Sequence, residues 1–339
     1  MYNDRLIFKT SSLDEVYYLK DTIFIKFSSK RNTISNSTLN GGINNNLKYL
    51  FNHHLSQETL DYLENHDLKE YLINHCDDLK FDSNLSAGLV TLALMKNLSI
   101  VTKKHNNLEV TAITTAGVRV NAVRAGDDST YWEENGEFHA GTINTILLIN
   151  SKLSQDTLVE AFMTACEAKT VALNNLKIPS QFSNGIATGT GTDGLIIASN
   201  LDSSNSLTNA GKHSKLGELI AKSIIESIHV AIKKQVWITP NSQSNVLVLL
   251  NRYKLDINKF YDGLNQDKHT FISQLKFDSK IQENIAVATS ILNLFDDVEN
   301  GIISKDVAYD IANSLLDYCV GSVVKELLTY WINYFCRPD

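Results

Sequence analysis

The stretch Ser99-Ile100-Val101-Thr102-Lys103-Lys104-His105-Asn106-Asn107-Leu108-Glu109-Val110-Thr111-Ala112-Ile113-Thr114 decides the fold class. Two β-branched, apolar runs flank the polar turn Lys104-His105-Asn106-Asn107, the pattern of an antiparallel hairpin. Working outward, Ile143 to Ile149 reads as another strand, and Leu195-Ile196-Ile197-Ala198 as a buried one. Between them, Ser154 to about Leu176 has the spacing of a long amphipathic helix, with Ser154 as N-cap and Asp156 in the first turn. Residues 200–210 form a polar loop. Leu216, Leu219, Ile220, Ile224, Ile228, Ala231 and Ile232 then make a helical stripe. Upstream, Leu6-Ile7-Phe8 and Ile23 to Phe27 are strand-like, residues 28–46 read as a loop, and helical spacing runs from about Leu47 to about Tyr71. The Ala- and Leu-rich run Asn84 to Met95 reads as a short helix. Past Pro240 the pattern is almost wholly helical, with stripes such as Ile285, Ala288, Ile291, Leu292 and Val307, Ile311, Leu315, Val320.

The reading is therefore α+β: a mixed or mostly antiparallel sheet flanked by helices, with an α-helical C-terminal region. Three segments follow from it. Residues 1–84 are an N-terminal extension packed on the body, 85–239 are the body, and 240–339 are the helical region, with Pro240-Asn241-Ser242 as the boundary.

Composition excludes several classes. The 339 residues carry 31 Lys+Arg and 38 Asp+Glu, a net charge of −7, with 43% apolar and 20% charged residues. The apolar content is too high for disorder. No run approaches the roughly 18 apolar residues of a membrane span. The acidic balance lacks the basic footprint of a nucleic-acid binder. Cys76, Cys166, Cys319 and Cys336 form no C-x-x-C pair, so neither a zinc ribbon nor a disulfide framework is expected. With no basic-then-apolar leader after Met1, a cytoplasmic location is expected.

Gly189-Thr190-Gly191-Thr192-Asp193-Gly194 matches G-x-G-x-x-G literally, but a strand follows it where the dinucleotide fingerprint needs a helix. Two readings stay open: a glycine turn with capping threonines, or a nest of N–H groups that accepts an anion. Gly211-Lys212-His213-Ser214 falls short of a phosphate loop, since Ser206 and His213 stand where glycine and a hydroxyl residue are required. Even so, Lys212, His213 and Lys215 crowd a helix N-terminus, where cations oppose the dipole. Asp193, Glu218 or a ligand would answer them. Lys169 shares a seam with Val159, Phe162, Cys166, Leu173 and Leu176. Its default is to snorkel; otherwise a carboxylate holds it, and Glu167, about 200° around the helix, cannot. Asn144 opens a strand, and the Thr114-Thr115-Ala116-Gly117 strand end leads into a loop holding Asn121, Arg124, Gly126 and Asp127. Function concentrates in such loops. His53, His54, His66, His75 and His105 sit in polar contexts and read as surface residues; His139 and His229 are left open.

Seven short blocks occur in order: Thr114 to Val118, Asn121-Ala122, Ala125-Gly126-Asp127, Gly141-Thr142-Ile143-Asn144, Glu167-Ala168-Lys169-Thr170, Ala187 to Asp193, and Gly211 to Glu218. Together they resemble the adenosylcobinamide amidohydrolase family of cobamide salvage, over roughly residues 85–235; segments 1–84 and 240–339 carry no such resemblance. The resemblance implies hydrolysis of the amide joining an aminopropanol arm to the corrin ring of adenosylcobinamide, giving adenosylcobyric acid. It implies a corrinoid as small-molecule partner, compatible with a homo-oligomer. It implies no protein-bound metal, since cobalt arrives inside the substrate.

On residue type, His213 or Asp193 would activate water, with Glu218 in the same set. Lys169 or Lys215 would stabilise the oxyanion or protonate the amine, and Thr115 or Thr192 would be a nucleophile only beside a base. Gly117, Asn121, Asp127, Asn144, Gly189, Thr190, Gly191 and Thr192 would bind substrate, in a pocket expected to be large. The alternative is a corrinoid-binding or carrier protein without hydrolysis.

Overall fold

A computed structural model describes residues 5–129, 142–254, 256–262 and 267–335. Gly141, His139 and Cys336, named above, lie outside the described residues. The chain divides into two compact units: Met1–Phe182 with Ala187–Ile238, and Ser183–Ile186 with Thr239–Asp339.

In chain order the first unit begins with strands β1 (Arg5–Lys9), β2 (Glu15–Leu19), β3 (Thr22–Lys26), β4 (Arg31–Ser35), β5 (Gly42–Asn44) and β6 (Tyr49–His54). Helices α1 (Gln57–Leu63) and α2 (Leu68–Leu79) follow. Next come β7 (Ser86–Thr91), β8 (Ser99–His105), β9 (Leu108–Thr115), β10 (Ala122–Val123), β11 (Asn144–Ile149) and β12 (Lys152–Leu153), then α3 (Gln155–Asn175). The unit ends with β13 (Gly189–Thr190), β14 (Gly194–Asn200), β15 (Ser206–Leu207) and α4 (Lys215–Val236).

Two sheets dominate, ordered β1-β2-β3-β6-β7 and β5-β4-β14-β11-β9-β8. Most pairings are antiparallel, while β6–β7 and β11–β14 are parallel. Both faces of each sheet are covered, which is why the strands read as near-continuous apolar runs. Period-two alternation sends Ile146, Leu148, Ile196 and Ala198 toward Ile23, Ile25, Leu50 and Leu89 of the other sheet. Leu147, Ile149 and Ile197 point the other way, into a core shared with α3 and α4. Phe24 and Phe51 on the outer face of the five-stranded sheet pack with Leu72 and Cys76 of α2. The layers run helix, sheet, sheet, helices.

The hairpin forms as expected: Ser99 pairs with Thr114 and His105 with Leu108, and Asn106 takes the left-handed conformation that closes the turn (φ 52°). The N-terminal half departs from the sequence reading. Asn84 to Met95 is not a helix; its core is the buried strand β7, parallel to β6, with short 3₁₀ turns on either side. A parallel partner and a tertiary fit override the helix propensity of Ala and Leu. Gly88 shows the fit: a Cβ there would stand 2.1 Å from the Phe51 ring. Residues 28–46 are likewise not all loop, since β4 and β5 join the six-stranded sheet through Ile34 and polar neighbours such as Thr33. The helical spacing read from Leu47 begins as strand β6.

The histidines give a further correction. His53 and His75 are half-buried between β6 and α2, their rings 4.0 Å apart. Thr22 Oγ1 bonds His53 Nδ1 (2.8 Å) and His75 Nε2 (3.2 Å), and Tyr71 Oη meets His53 Nε2 (2.9 Å). Burial lowers His53 to about 3, with repulsion from His75 adding to it, and lowers His75 to about 4. His54 is half-buried too, with Nδ1 buried and without a partner among the described residues. His66 and His105 are exposed. His229, half-buried, meets the Ala172 carbonyl at 3.0 Å.

The second unit holds α5 (Pro240–Gln243), α6 (Val246–Leu250), α7 (Ile257–Asp262), α8 (Lys268–Asp278), α9 (Gln282–Glu299), α10 (Lys305–Leu315) and α11 (Ser322–Phe335). Its core gathers Leu275, Ala288, Ile291, Phe295, Leu327 and the fully buried Trp331. The stripe on α10 is rotated from the one read in sequence: Ala308 and Ala312 are buried, while Val307 and Ile311 are about half exposed.

Candidate functional site

The site forms where β9, β11 and β14 share one end. Asn144 opens β11 opposite Thr115 on one side and Gly194 on the other. Its side chain is wholly engaged: Nδ2 donates to Asn52 Oδ1 and to the Val90 carbonyl (both 2.8 Å), and Oδ1 accepts from Gly194 N (3.0 Å). Asn52 Nδ2 donates in turn to Thr115 Oγ1 (2.9 Å). Asn52, Thr115 and Asn144 are almost fully buried between the two sheets. Asn144 thus holds the backbone beside Asp193 and presents no free amide.

On the helix side of the sheet, Asp193 is the centre of a cluster. Thr190 donates to it from N (3.1 Å to Oδ1) and from Oγ1 (2.6 Å), and Lys169 of α3 forms an ion pair with Oδ2. Asn36 straps the segment, donating to the Asp193 carbonyl (2.7 Å) and accepting from Leu195 N (2.8 Å). The glycine run therefore closes on its own carboxylate. Thr190 N serves Asp193, and Gly191 N donates to the Asn121 carbonyl (3.2 Å). Gly189 lets the pair lie against the backbone: a Cβ there would be 2.3 Å from Asp193 Oδ2 and 2.9 Å from Lys169 Nζ. Neighbouring hydroxyls continue the rim, with Asn121 Nδ2 donating to Thr142 Oγ1 (2.6 Å) and Thr142 N to Thr190 Oγ1 (3.4 Å). Asn121 Oδ1 is buried without a partner among the described residues. Gly117 packs on Thr142, and Asp127, which accepts from Arg124 N and Ser180 Oγ, braces the adjoining loop. Thr192 is half-buried beside this cluster.

Lys169 does not simply snorkel. The buried face of α3 includes Leu158, Ala161, Ala165, Ala168, Ala172 and Leu173; of the seam read in sequence, Leu173 and Leu176 are buried, Phe162 and Cys166 lie at its edge, and Val159 is 44% exposed. Small residues let α3 pack closely, and Lys169 falls at the margin, where Asp193 meets it.

Among the described residues, the Gly211–Glu218 segment forms a separate group that shares no hydrogen bond or ion pair with Lys169 or Asp193. Ala210 N donates to Glu160 and Thr164 Oγ1 to the Ala210 carbonyl, fixing the loop on α3. Lys212 pairs with Glu167 (2.6 Å). Lys215 pairs with Glu218, which also meets Lys222 (2.7 Å), and these two ammonium donors hold the Glu218 carboxyl down to about 2. Ser214 caps α4 by accepting from Gly217 N (3.0 Å). His213 is exposed. The helix-end cations are thus answered by Glu167 and Glu218.

A cavity of about 110 Å³ opens beside the Asp193 cluster, lined by Ile143, Thr145, Phe162, Ala165, Ile224 and others, with Lys169 and Asp193 in its wall. It is far smaller than the pocket expected for a whole corrin. A larger cleft of about 300 Å³, at Asn32, Asn44, Asn45, Asn46 and Gln155, has no titratable side chain in its wall and so offers no acid–base chemistry. Among the described residues no three His, Cys, Asp or Glu side chains gather as a metal site, and no helix is long and apolar enough to cross a membrane.

Sequence reasoning missed Asn52 and Asn36. The first lay in a run read as helix and the second in a run read as loop. The one available signal was a polar residue breaking the apolar strand Tyr49–Phe51.

A Lys–Asp ion pair thus lines a small, partly apolar cavity at the shared end of three strands in an α+β protein. The chain belongs to the adenosylcobinamide amidohydrolase family, whose model matches residues 7–240. The match reaches well below residue 85 and takes in most of the N-terminal strands. The uncharacterized protein MJ1613 of Methanocaldococcus jannaschii is 33% identical over 241 residues, covering 67% of this chain and 91% of that protein. An adenosylcobinamide amidohydrolase of Methanosarcina mazei is 32% identical over 158 residues, 44% of this chain and 66% of that one. Among solved structures, the PH0078 protein from Pyrococcus horikoshii OT3 is similar at 12% identity and a TM-score of 0.33, over 68% of this chain and 82% of that chain, too distant to bear on function.

Proposed function

We propose that this chain hydrolyses the amide linking the aminopropanol arm to the corrin ring of adenosylcobinamide, releasing adenosylcobyric acid for cobamide salvage. The observation that carries the reading is the Lys169–Asp193 pair, held by Thr190 on the wall of a cavity in a member of this family. Asp193 takes a proton from the attacking water. Lys169 faces the developing oxyanion and supplies a proton toward the departing nitrogen. Asn121 Oδ1, buried and without a partner among the described residues, is an acceptor suited to the substrate amide N–H. Thr115, 1% exposed and accepting from Asn52, shapes the site from beneath. In this reading the protein contributes no metal of its own; cobalt enters with the substrate, and the reaction belongs in the cytoplasm.

A chromatographic assay with adenosylcobinamide tests it. Wild type forms adenosylcobyric acid, whereas Asp193→Asn and Lys169→Ala lose about 10²–10⁴ in rate while remaining folded. His213→Ala separates the two clusters: activity near wild type leaves the chemistry with Lys169 and Asp193, while a comparable loss brings the Gly211–Glu218 group into the reaction. Corrinoid bound but unchanged by wild type would replace hydrolysis with a carrier role.

A further inference from the structure

The cavity is too small for the ring and the right size for something else. An apolar cavity of roughly 150 Å³ holds benzene, with its six carbons. By that scale the 110 Å³ beside Asp193 admits about four or five non-hydrogen atoms. An aminopropanol arm has five: the nitrogen, three carbons and one oxygen. The lining matches them in kind. Ile143, Phe162, Ala165 and Ile224 offer apolar surface for a methyl group and its chain, Thr145 offers a hydroxyl, and Lys169, also in the wall, serves the nitrogen. Thr145 Oγ1 is hydrogen-bonded to Thr114 Oγ1 (3.1 Å), which meets Ser227 Oγ (2.8 Å). Such a hydroxyl chain turns to donate or accept as an incoming hydroxyl requires.

We propose that this cavity is the leaving-group subsite: it receives the short aminoalcohol arm, and the corrin ring stays outside, on the acyl side of Lys169 and Asp193. The inference rests on the amidohydrolase reading and adds which half of the substrate is selected by fit. Water oxygen bonds to the acyl carbon, the C–N bond breaks with its electron pair on nitrogen, and that nitrogen takes a proton. A carboxylic acid remains outside, and a free aminoalcohol remains in the cavity. Selectivity therefore falls on the arm: one methylene more or less changes discrimination about 10- to 200-fold in a fitted apolar pocket.

The test is a series of cobinamide amides hydrolysed by the full chain, with arms from ethanolamine, 1-aminopropan-2-ol and 1-amino-4-methylpentan-2-ol. Wild type is expected to prefer the aminopropanol arm over the longer branched one by about 10-fold or more in kcat/KM. Free 1-aminopropan-2-ol is expected to inhibit, and the longer amine to fail. Phe162→Ala, at a half-buried position, is expected to narrow or reverse the preference by admitting the longer arm. Equal rates for all three arms with wild type, or a preference untouched by Phe162→Ala, would overturn the subsite and leave the amidohydrolase reading standing. No hydrolysis of any arm would overturn both.

Discussion

Asp193 accepts from an ammonium group, a hydroxyl and a backbone N–H at once, and each donor reaches it from a different feature of the sequence. Lys169 was legible as an anomaly, a cation on an apolar helix, and Asp193 as the acid ending a glycine run. Their pairing was not, because it joins α3 to a turn 24 residues further on, a contact that the periodicity of neither segment specifies. The same limit hid the histidines. Polar neighbours in sequence made His53 and His75 look solvated, while the alternation of β6 turns His53 onto α2, against His75 on that helix. Their lowered values carry a consequence with a definite sign. Above about pH 6.5 the folded and unfolded chains are both neutral at these rings. Below it the unfolded chain binds protons that the folded one refuses until about 4 for His75 and about 3 for His53, so stability falls as pH falls. Each ring contributes up to about 1.4 kcal/mol per pH unit in that window. Calorimetric melts are expected to show Tm dropping by about 5 °C between pH 6 and pH 5. A His53→Gln/His75→Gln variant is expected to show a shallower dependence.

At the scale of elements, the hairpin β8–β9 and strands β11 and β14 were readable because each is apolar, β-branched and bounded by polar turns. Helices α3 and α4 were readable from length and caps. Strand β7 was not, since Ala, Gly and Leu carry no strand preference of their own. Its conformation comes from β6 alongside and from Phe51, whose ring takes the space above Gly88. Gly88→Ala is expected to destabilise by about 1–3 kcal/mol through overpacking, read as a lower urea midpoint with an unchanged slope. Should the midpoint hold, the ring moves aside more easily than the packing suggests. Strand β6 matters to the site as well, because Asn52 carries the hydrogen bonds from the inner sheet face to Thr115 and Asn144.

For the whole molecule, the family match and the first unit end within two residues of one another, at 240 and at Ile238. The second unit has its own aromatic core, in which Tyr253, Phe295 and Trp331 meet edge-on or tilted. Residues 1–240 alone are expected to retain hydrolysis within about threefold of the full chain, and 239–339 alone to unfold cooperatively, as units with separate cores do. Loss of activity in the shorter chain would give the helical unit a part in catalysis. The helical character of that unit was plain in the sequence; the strands that residues 1–84 lend to the larger sheet were not, because β4 pairs with a partner more than 150 residues away.

That partner, β14, has a bearing on how the protein comes into being. It lies at the middle of its sheet, between β4 and β11, yet it is the last of the six strands to be made. While the ribosome is still short of residue 194, β4–β5 and β11–β9–β8 are two unjoined ribbons, each with a bare edge open to pairing with other chains. Closure comes with a single late insertion, and Asp193, the residue before that strand, takes its place in the same event. Over that interval the chain lacks both the joined sheet and the Lys169–Asp193 pair, and the arrival of β14 supplies both.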